Sequence, residues 1–241
     1  MPLDLARIEK KAISESVAEQ LRTAILRGEV QVGERLPPER ELAPRFGTNR
    51  NTLREAIRSL EAQGLVVARQ GDGVRVADFR NTGSISLLPD LIRIATGPER
   101  NEMLDDVLQM RRRMAVELAG LAARRADEAQ IKKLRDILEK QRANDGDLLL
   151  SLQTDLELYN AMVDAACSVV AKLMFMTLSR LSQACLEKVP ALLYVHPEYL
   201  ELMGRTIDAI GDHQPAKAEA ALALLYRKTD TILMERLERL T

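Results

Sequence analysis

A change in hydrophobic periodicity at Gly64 is the feature that most narrows the fold of this 241-residue chain. Between residues 17 and 63, apolar side chains recur at helical spacing in short segments separated by glycine and proline. After Gly64, residues 65–76 form two strand-like runs around a glycine-containing turn. Helices followed by a hairpin in this order predict a winged helix-turn-helix domain over residues 1–78.

The third predicted helix, residues 49–63, carries two stripes on different faces. The apolar stripe is expected to be buried and consists of Leu53, Ile57 and Leu60. The basic stripe has a spacing of four and consists of Arg50, Arg54 and Arg58. Six arginines but only three acids lie between residues 45 and 75, which is a charge balance suited to phosphate binding.

Arginine suits the reading of DNA because its forked donors match two acceptors on guanine in the major groove. A basic stripe on a surface helix is most often only solvated. Its place in the third helix of an ordered motif with a wing favours a DNA contact instead.

Short local patterns give the expected helix ends. Ser16 and Glu19 fit a capping box, so the first helix is predicted to begin near Ser14 or Ser16. Asn49 or the preceding threonine is expected to cap the third helix.

The rest of the chain is predicted to be helical. Residues 79–98 are expected to be a linker, and residues 99–241 a bundle of about six helices for effector binding and dimerisation. The predicted fold class is therefore mainly α, with an N-terminal winged helix-turn-helix, a small β-hairpin wing and an all-α bundle.

The composition excludes several classes of function. No run approaches the roughly 18 apolar residues that a membrane span needs, so no membrane partner is expected. Two cysteines give no disulfide framework and favour a reducing cytoplasm. The chain lacks a nucleophile elbow and a phosphate-cradling loop. With only two histidines, it offers little for acid–base chemistry, so we expect no catalytic residues and no cofactor.

The N-terminal motif resembles the signature of GntR-family transcriptional regulators. The resemblance spans about 60 residues and rests on residues 36–43, Phe46-Gly47, Arg50, residues 52–56, Leu60, Gly64-Leu65 and residues 71–73. It implies DNA contacts from the recognition helix and the wing, made by Arg40, Asn49, Arg50, Thr52, Arg54, Gln70 and Gly71. Asn49 and Gln70 depart from the pattern of FadR-type members, in which threonine and histidine are found at these positions.

The C-terminal half resembles the all-helical effector domain of the FadR subfamily. The supporting residues are Met110-Arg111, the alanine-rich run 119–125, and Asp155 followed by Tyr159. Many relatives hold a divalent metal there with one aspartate and three histidines. The three histidine positions fall at Tyr159, Met203 and Leu225. Because these are poor metal ligands, the resemblance implies a metal-free pocket.

Within that pocket, Arg111 is the candidate anchor for an anionic effector, because a buried arginine needs an anionic partner. Asp155, Tyr159 and Tyr226 are the other candidate effector residues. A solvated arginine run, a surface carboxylate and plain core tyrosines are the alternatives. The missing histidines and the methionine-containing helices favour a fatty acyl-CoA, with a small organic acid as the alternative.

Together these features predict a ligand-responsive regulator that acts as a repressor of metabolic genes. It is expected to bind a double-stranded inverted-repeat operator as a homodimer. An enzyme and an effector-independent structural DNA-binding protein are the two other classes. The absent catalytic motifs disfavour the first, and the long helical bundle disfavours the second.

Overall fold

The computed structural model describes residues 10–69, 71–144, 148–186 and 197–239. The chain divides into two compact units, Met1–Ala95 and Thr96–Thr241. Within the described ranges, no helix combines the length and the apolarity needed to cross a membrane.

The first helix, α1 (Lys10–Leu26), packs against the third helix. Its buried face contains the residues expected from their spacing of four, Val17, Leu21 and Ile25. The predicted start near Ser14 or Ser16 is wrong, because the chain is already helical at Lys10 and both serines lie inside the helix. Gly28 follows the helix in the left-handed conformation, as a helix end requires.

The helix-turn-helix consists of α2 (Glu39–Arg45) and α3 (Arg50–Ala62). The predicted apolar stripe of α3 is confirmed, since Leu53, Ile57 and Leu60 are all buried. The arginine stripe on the same helix is exposed. Burial of one face therefore fixes which face of α3 meets solvent.

The wing is an antiparallel hairpin of β1 (Val66–Arg69) and β2 (Gly73–Val76). The segment before α2 joins it, because the amide of Leu36 donates to Val74 and that of Gly33 donates to Val76. These bonds tie the wing to the loop that leads into α2.

The predicted linker is largely part of the first unit. It contains α4 (Phe79–Thr82), a short 3-10 turn (Ile85–Leu87) and α5 (Leu88–Ile94). Leu87 is buried in the core of the first unit. The segment folds onto the first unit because it contributes apolar residues to that core. The sequence pattern did not identify these residues as core residues.

Two polar contacts hold this segment on the winged helix. The hydroxyl of Thr82 donates to the carbonyl of Gly64, and a Cβ at Gly64 would collide with the Thr82 backbone. The buried Arg22 of α1 donates to Gln63 and, through Nη1, to Asp90 at 3.1 Å. The first compact unit therefore extends to residue 95, beyond the domain end predicted at residue 78.

The second unit is helical throughout its described ranges. Its helices are α6 (Gly97–Arg125), α7 (Glu128–Arg142), α8 (Leu148–Ala165), α9 (Val169–Leu186), α10 (Tyr199–Gly211) and α11 (Pro215–Glu238). Asp127 caps α7 in a reciprocal capping box with Gln130. The expected mainly α fold, a winged helix-turn-helix followed by an all-helical domain, is confirmed.

One apolar core unites the bundle and includes Leu118, Leu158, Ile207 and Leu222. The long α6 packs mainly on α11, and α10 packs against α11 and α7.

Candidate functional site

The N-terminal end of α3 is built around Asn49. Its side-chain Oδ1 accepts from the amide of Thr52 at 3.0 Å and from the Thr52 hydroxyl at 3.2 Å. Asn49 is thus the helix cap expected from the sequence. Thr52 is 2% exposed, so its hydroxyl serves this cap and its side chain offers no surface to a base.

An open groove of about 360 Å³ lies beside this helix end. It is lined by four arginines from three successive segments: Arg35, Arg40, Arg50 and Arg54. Gly73, the first residue of β2 in the wing, lines the same groove. The structure therefore brings three of the predicted DNA contacts, Arg40, Arg50 and Arg54, to one basic surface.

Two of these arginines pair with acids of α2. Arg54 Nε donates to both carboxylate oxygens of Glu39, at 2.9 and 2.8 Å, and this contact raises the pKa of Arg54. Arg40 lies 3.5 Å from Glu41, and both side chains are well exposed. The Arg40–Glu41 pair is therefore weak and can exchange partners.

The wing presents its own turn toward solvent. Gly71 and Gly73 have positive φ angles of 83° and 80°, which few other residues adopt. Arg75 donates to Asp72 through two nitrogens and to the carbonyl of Gly33, which braces the hairpin. Gly71 is exposed at this turn. Gln70, the other predicted wing contact, lies outside the described residues.

In the bundle, two neighbouring arginines of α6 share one buried carboxylate of α11. Arg111 Nη2 lies 3.2 Å from Asp230 Oδ1, and Arg112 Nη1 lies 2.6 Å from Oδ2. Asp230 is 4% exposed. Burial raises its pKa, although both arginines act in the opposite direction.

Arg111 also lies over the ring of Tyr226, with 5.0 Å between the guanidinium carbon and the ring centroid. A cation over an aromatic face is attracted to the ring. The Nε of Arg111 is buried and has no hydrogen-bond partner, which is rare for a buried donor. One donor of this arginine is therefore available to a further acceptor.

The remaining candidates adjoin Arg111. Tyr159 stacks at a tilt against Tyr226, with ring centroids 6.0 Å apart. The hydroxyl of Tyr199 donates to the carboxylate of Asp155 in a short contact. Burial raises the pKa of Asp155 to about 6, and the nearby Arg111 opposes that shift. Burial also raises the pKa of Tyr226 to about 12. The four predicted effector residues thus form one cluster.

The positions where metal-binding relatives carry histidine lie in the core. Met203 and Leu225 are buried, and Tyr159 packs against the same apolar cluster. Among the described residues no group of acids, histidines and cysteines could hold a metal ion. The Nδ1 of His213 lies 3.0 Å from the carbonyl of Ala123, while His196 lies outside the described residues.

Sequence reasoning missed three residues that the structure adds. Arg35 precedes the motif helices and lines the basic groove. Tyr199 contacts Asp155 from a position 44 residues further along the chain. Asp230 contacts Arg111 from a position 119 residues further along. No local spacing reveals contacts over such distances in the chain. In contrast, Met174 of α9 is 56% exposed and lies outside the buried core.

These features define a winged-helix DNA-binding regulator with a separate helical sensor domain. The family of bacterial regulatory proteins named gntR matches residues 13–76, and the FCD domain matches residues 106–228. The chain belongs to the GntR family and has the FadR-like architecture, with an FCD effector domain. It is a DNA-binding transcriptional regulator and not an enzyme.

Individual relatives agree with this assignment. The regulator Mce2R of Mycobacterium tuberculosis is 31% identical over 230 residues, which cover 95% of each chain. A putative L-lactate dehydrogenase operon regulatory protein of Escherichia coli is 27% identical over 66% of this chain and 61% of its own. The solved structure of Lar, described as controlling the Listeria monocytogenes agr system, superimposes with a TM-score of 0.52. It is 15% identical and covers 97% of this chain and 100% of its own, so it supports the fold alone.

The titration of Asp155 gives a testable consequence for stability. Its pKa rises on folding from 3.8 to about 6, so the folded chain holds the proton more tightly between those values. The contribution of Asp155 to stability is therefore greatest below pH 4 and falls as the pH rises to about 6. Above that pH the ionised form costs at most about 3 kcal/mol relative to the protonated form.

We expect Asp155→Asn to unfold at higher urea than wild type at pH 7.5, because asparagine stays neutral and still accepts from Tyr199. The advantage should shrink toward pH 4.5, where wild-type Asp155 is protonated. Asp208→Asn, at an exposed position on α10, is the matched control. A stability difference that is the same at both pH values would contradict the assignment.

Proposed function

We propose that this regulator binds an inverted-repeat operator as a homodimer. It acts in the cytoplasm as a repressor of metabolic genes. Binding of an organic anion changes its affinity for DNA. The observation that carries the proposal is the basic groove at the start of α3. A capped helix whose first turns expose arginine beside a glycine wing suits insertion into the major groove.

The proposed roles of the groove residues follow from their positions. Arg50 and Arg54 lie on the exposed face of the recognition helix, so we assign them to base edges. Arg40, at the start of α2, suits a phosphate. The backbone around Asn49 offers amides at a helix end, which also bind phosphate. Gln70 and Gly71 are assigned to the minor groove.

The first test of this proposal uses DNA selected from a random pool by the purified protein. Arg50→Ala and Arg54→Ala should each weaken binding to the selected site about 5- to 150-fold if that arginine makes a bidentate base contact. Thermal stability should not change, because both side chains are exposed. Arg205→Ala on α10 removes an exposed charge from the other unit and serves as the control. Unaltered affinity in both α3 variants would remove α3 as the reading helix.

In the FCD domain, the Arg111 cluster supports an anionic effector. Arg111 keeps a buried Nε without a partner, and its flat face lies on Tyr226. A carboxylate can accept from such a donor and from the nearby tyrosine hydroxyls. Asp155 beside it has a pKa of about 6, so a modest fall in pH removes a competing negative charge.

The geometry favours a small organic acid over the fatty acyl-CoA. The phosphates of CoA need several free cations. Arg111 and Arg112 both bind Asp230, so within this run of three only the exposed Arg113 lacks that contact. A single carboxylate needs only one free donor. The name of the Escherichia coli relative, which refers to an L-lactate dehydrogenase operon, agrees with small-acid metabolism as the regulated process.

Calorimetric titration separates the two effector classes. Small hydroxy- and keto-carboxylates of three to six carbons are compared with acyl-CoAs of increasing chain length. We expect a small carboxylate to bind, and its affinity to rise about three- to tenfold from pH 7.5 to 5.5 as Asp155 takes up a proton. Arg111→Met should abolish binding, and Asp155→Asn should remove the pH dependence.

Arg113→Ala is the matched control, since Arg113 is the exposed neighbour of Arg111 on the same helix. Binding of acyl-CoA with affinity that increases with chain length, and no binding of small acids, would reverse the preference. Binding that survives Arg111→Met unchanged would remove Arg111 as the anchor.

An apolar stripe on α9 supports the homodimer. Four large side chains in two pairs about one helical turn apart are 56–75% exposed: Val169, Val170, Leu173 and Met174. Lys172 in the same turn is neutralised by Asp164 at 2.7 Å. Exposed apolar stripes of this kind mark protein interfaces, and a two-fold operator requires a second copy of this chain.

Leu173→Glu should therefore shift the protein from dimer to monomer in sedimentation equilibrium, because burying a carboxylate in an apolar interface is unfavourable. The side chain is 64% exposed in the protomer, so the fold should persist in circular dichroism. Val32→Glu, at an exposed apolar position of the first unit, is the control. A dimer that persists in Leu173→Glu would exclude this face.

A further inference from the structure

Glu39 is an acid in an otherwise basic groove. It is the first residue of α2, and the other charged residues that line this groove are arginines. A carboxylate beside a DNA-binding surface repels phosphate and so weakens binding unless it has a compensating role. Its side chain is 29% exposed, compared with 56% for Arg54, so it lies deeper than the arginine it contacts.

The contact between the two side chains is specific in its atoms. Both oxygens of Glu39 accept from Nε of Arg54, at 2.9 and 2.8 Å. Guanine reading uses two guanidinium donors side by side, and Nη1 and Nη2 are not the atoms that these hydrogen bonds engage. Holding Nε therefore restrains the plane of the guanidinium and leaves the terminal nitrogens out of these two hydrogen bonds.

We propose that Glu39 is a positioning residue that orients Arg54 for base recognition and so sets the specificity of the recognition helix. The inference rests on the proposed function, because it requires Arg54 to face DNA. An arginine whose orientation is fixed beforehand loses less side-chain entropy when it meets the base. The gain applies to the base that Arg54 reads and not to phosphate contacts elsewhere.

Arg50 provides an internal comparison. It lines the same groove, and no ion pair to it is found within the described part of the chain. Removal of Glu39 should therefore change discrimination at the base read by Arg54 and leave discrimination at the base read by Arg50 unchanged.

The experiment begins with the full-length wild-type protein and a site selected from random DNA. Binding is then measured to that site and to every single-base change of it, for wild type, Arg54→Ala and Arg50→Ala. The position where Arg54→Ala loses discrimination identifies the base that Arg54 reads. Glu39→Ala, Glu39→Gln and the double variant Glu39→Ala with Arg54→Ala are measured on the same set.

We expect Glu39→Ala to reduce discrimination at the Arg54 base at least threefold, with affinity for random DNA unchanged or higher. Glu39→Gln should be intermediate, because its amide oxygen still accepts from Nε. In the Arg54→Ala background, Glu39→Ala should have no further effect, since the two residues act as a unit. Thermal melting verifies that the variants are folded, and the isosteric Glu39→Gln provides the test if Glu39→Ala does not fold.

Other outcomes overturn the inference in distinguishable ways. If Glu39→Ala binds every sequence more tightly with discrimination intact, Glu39 only neutralises Arg54. If Arg54→Ala loses no discrimination at any position, Arg54 is not a reader. Either result leaves sequence-specific binding by the wild type standing. If the wild type selects no site at all, the proposed function fails together with the inference.

Discussion

Burial of the apolar face of α3 is the interaction on which the DNA-binding unit depends. Leu53 and Leu60 are fully buried in the core of the first unit, where α3 packs against α1 and β1. Because an α-helix has a fixed 3.6 residues per turn, holding one face in the core directs the opposite face to solvent. Any rotation that exposed these leucines would bury Arg50 or Arg54 without a partner, at a large free-energy cost.

The two units treat arginine differently because their surroundings differ. In the groove, Arg40 pairs with Glu41 in an exposed contact that solvent weakens, whereas Arg54 is held through its Nε by the less exposed Glu39. In the bundle, Arg111 pairs with the buried Asp230. Removing one member of this pair would leave an unpaired charge in a low-dielectric interior. The same residue type therefore forms partly exposed contacts at the groove of one unit and a buried contact in the interior of the other.

Sequence reasoning was correct where one element contains the whole signal. The spacing within α3 identified its core, its arginine stripe and the Asn49 cap. It was wrong where packing between elements decides. A serine capping pattern did not begin α1, and a segment expected to be linker folded onto the first unit through Leu87 and Asp90. Thr52 met the family pattern but is buried beneath the cap that it helps to form.

By itself, the sequence determined the helical periods, the glycine turns of the wing and the family motif, because these depend on residues a few positions apart. Only the tertiary structure decided which charges meet. Glu39 reaches Arg54 over 15 residues, and Asp230 reaches Arg111 over 119. Spacing along a chain carries no information about such pairs, since their geometry is set by how separate helices pack. The orientation of Arg54, the proposed reading arginine, and the character of the proposed effector site both follow from that packing.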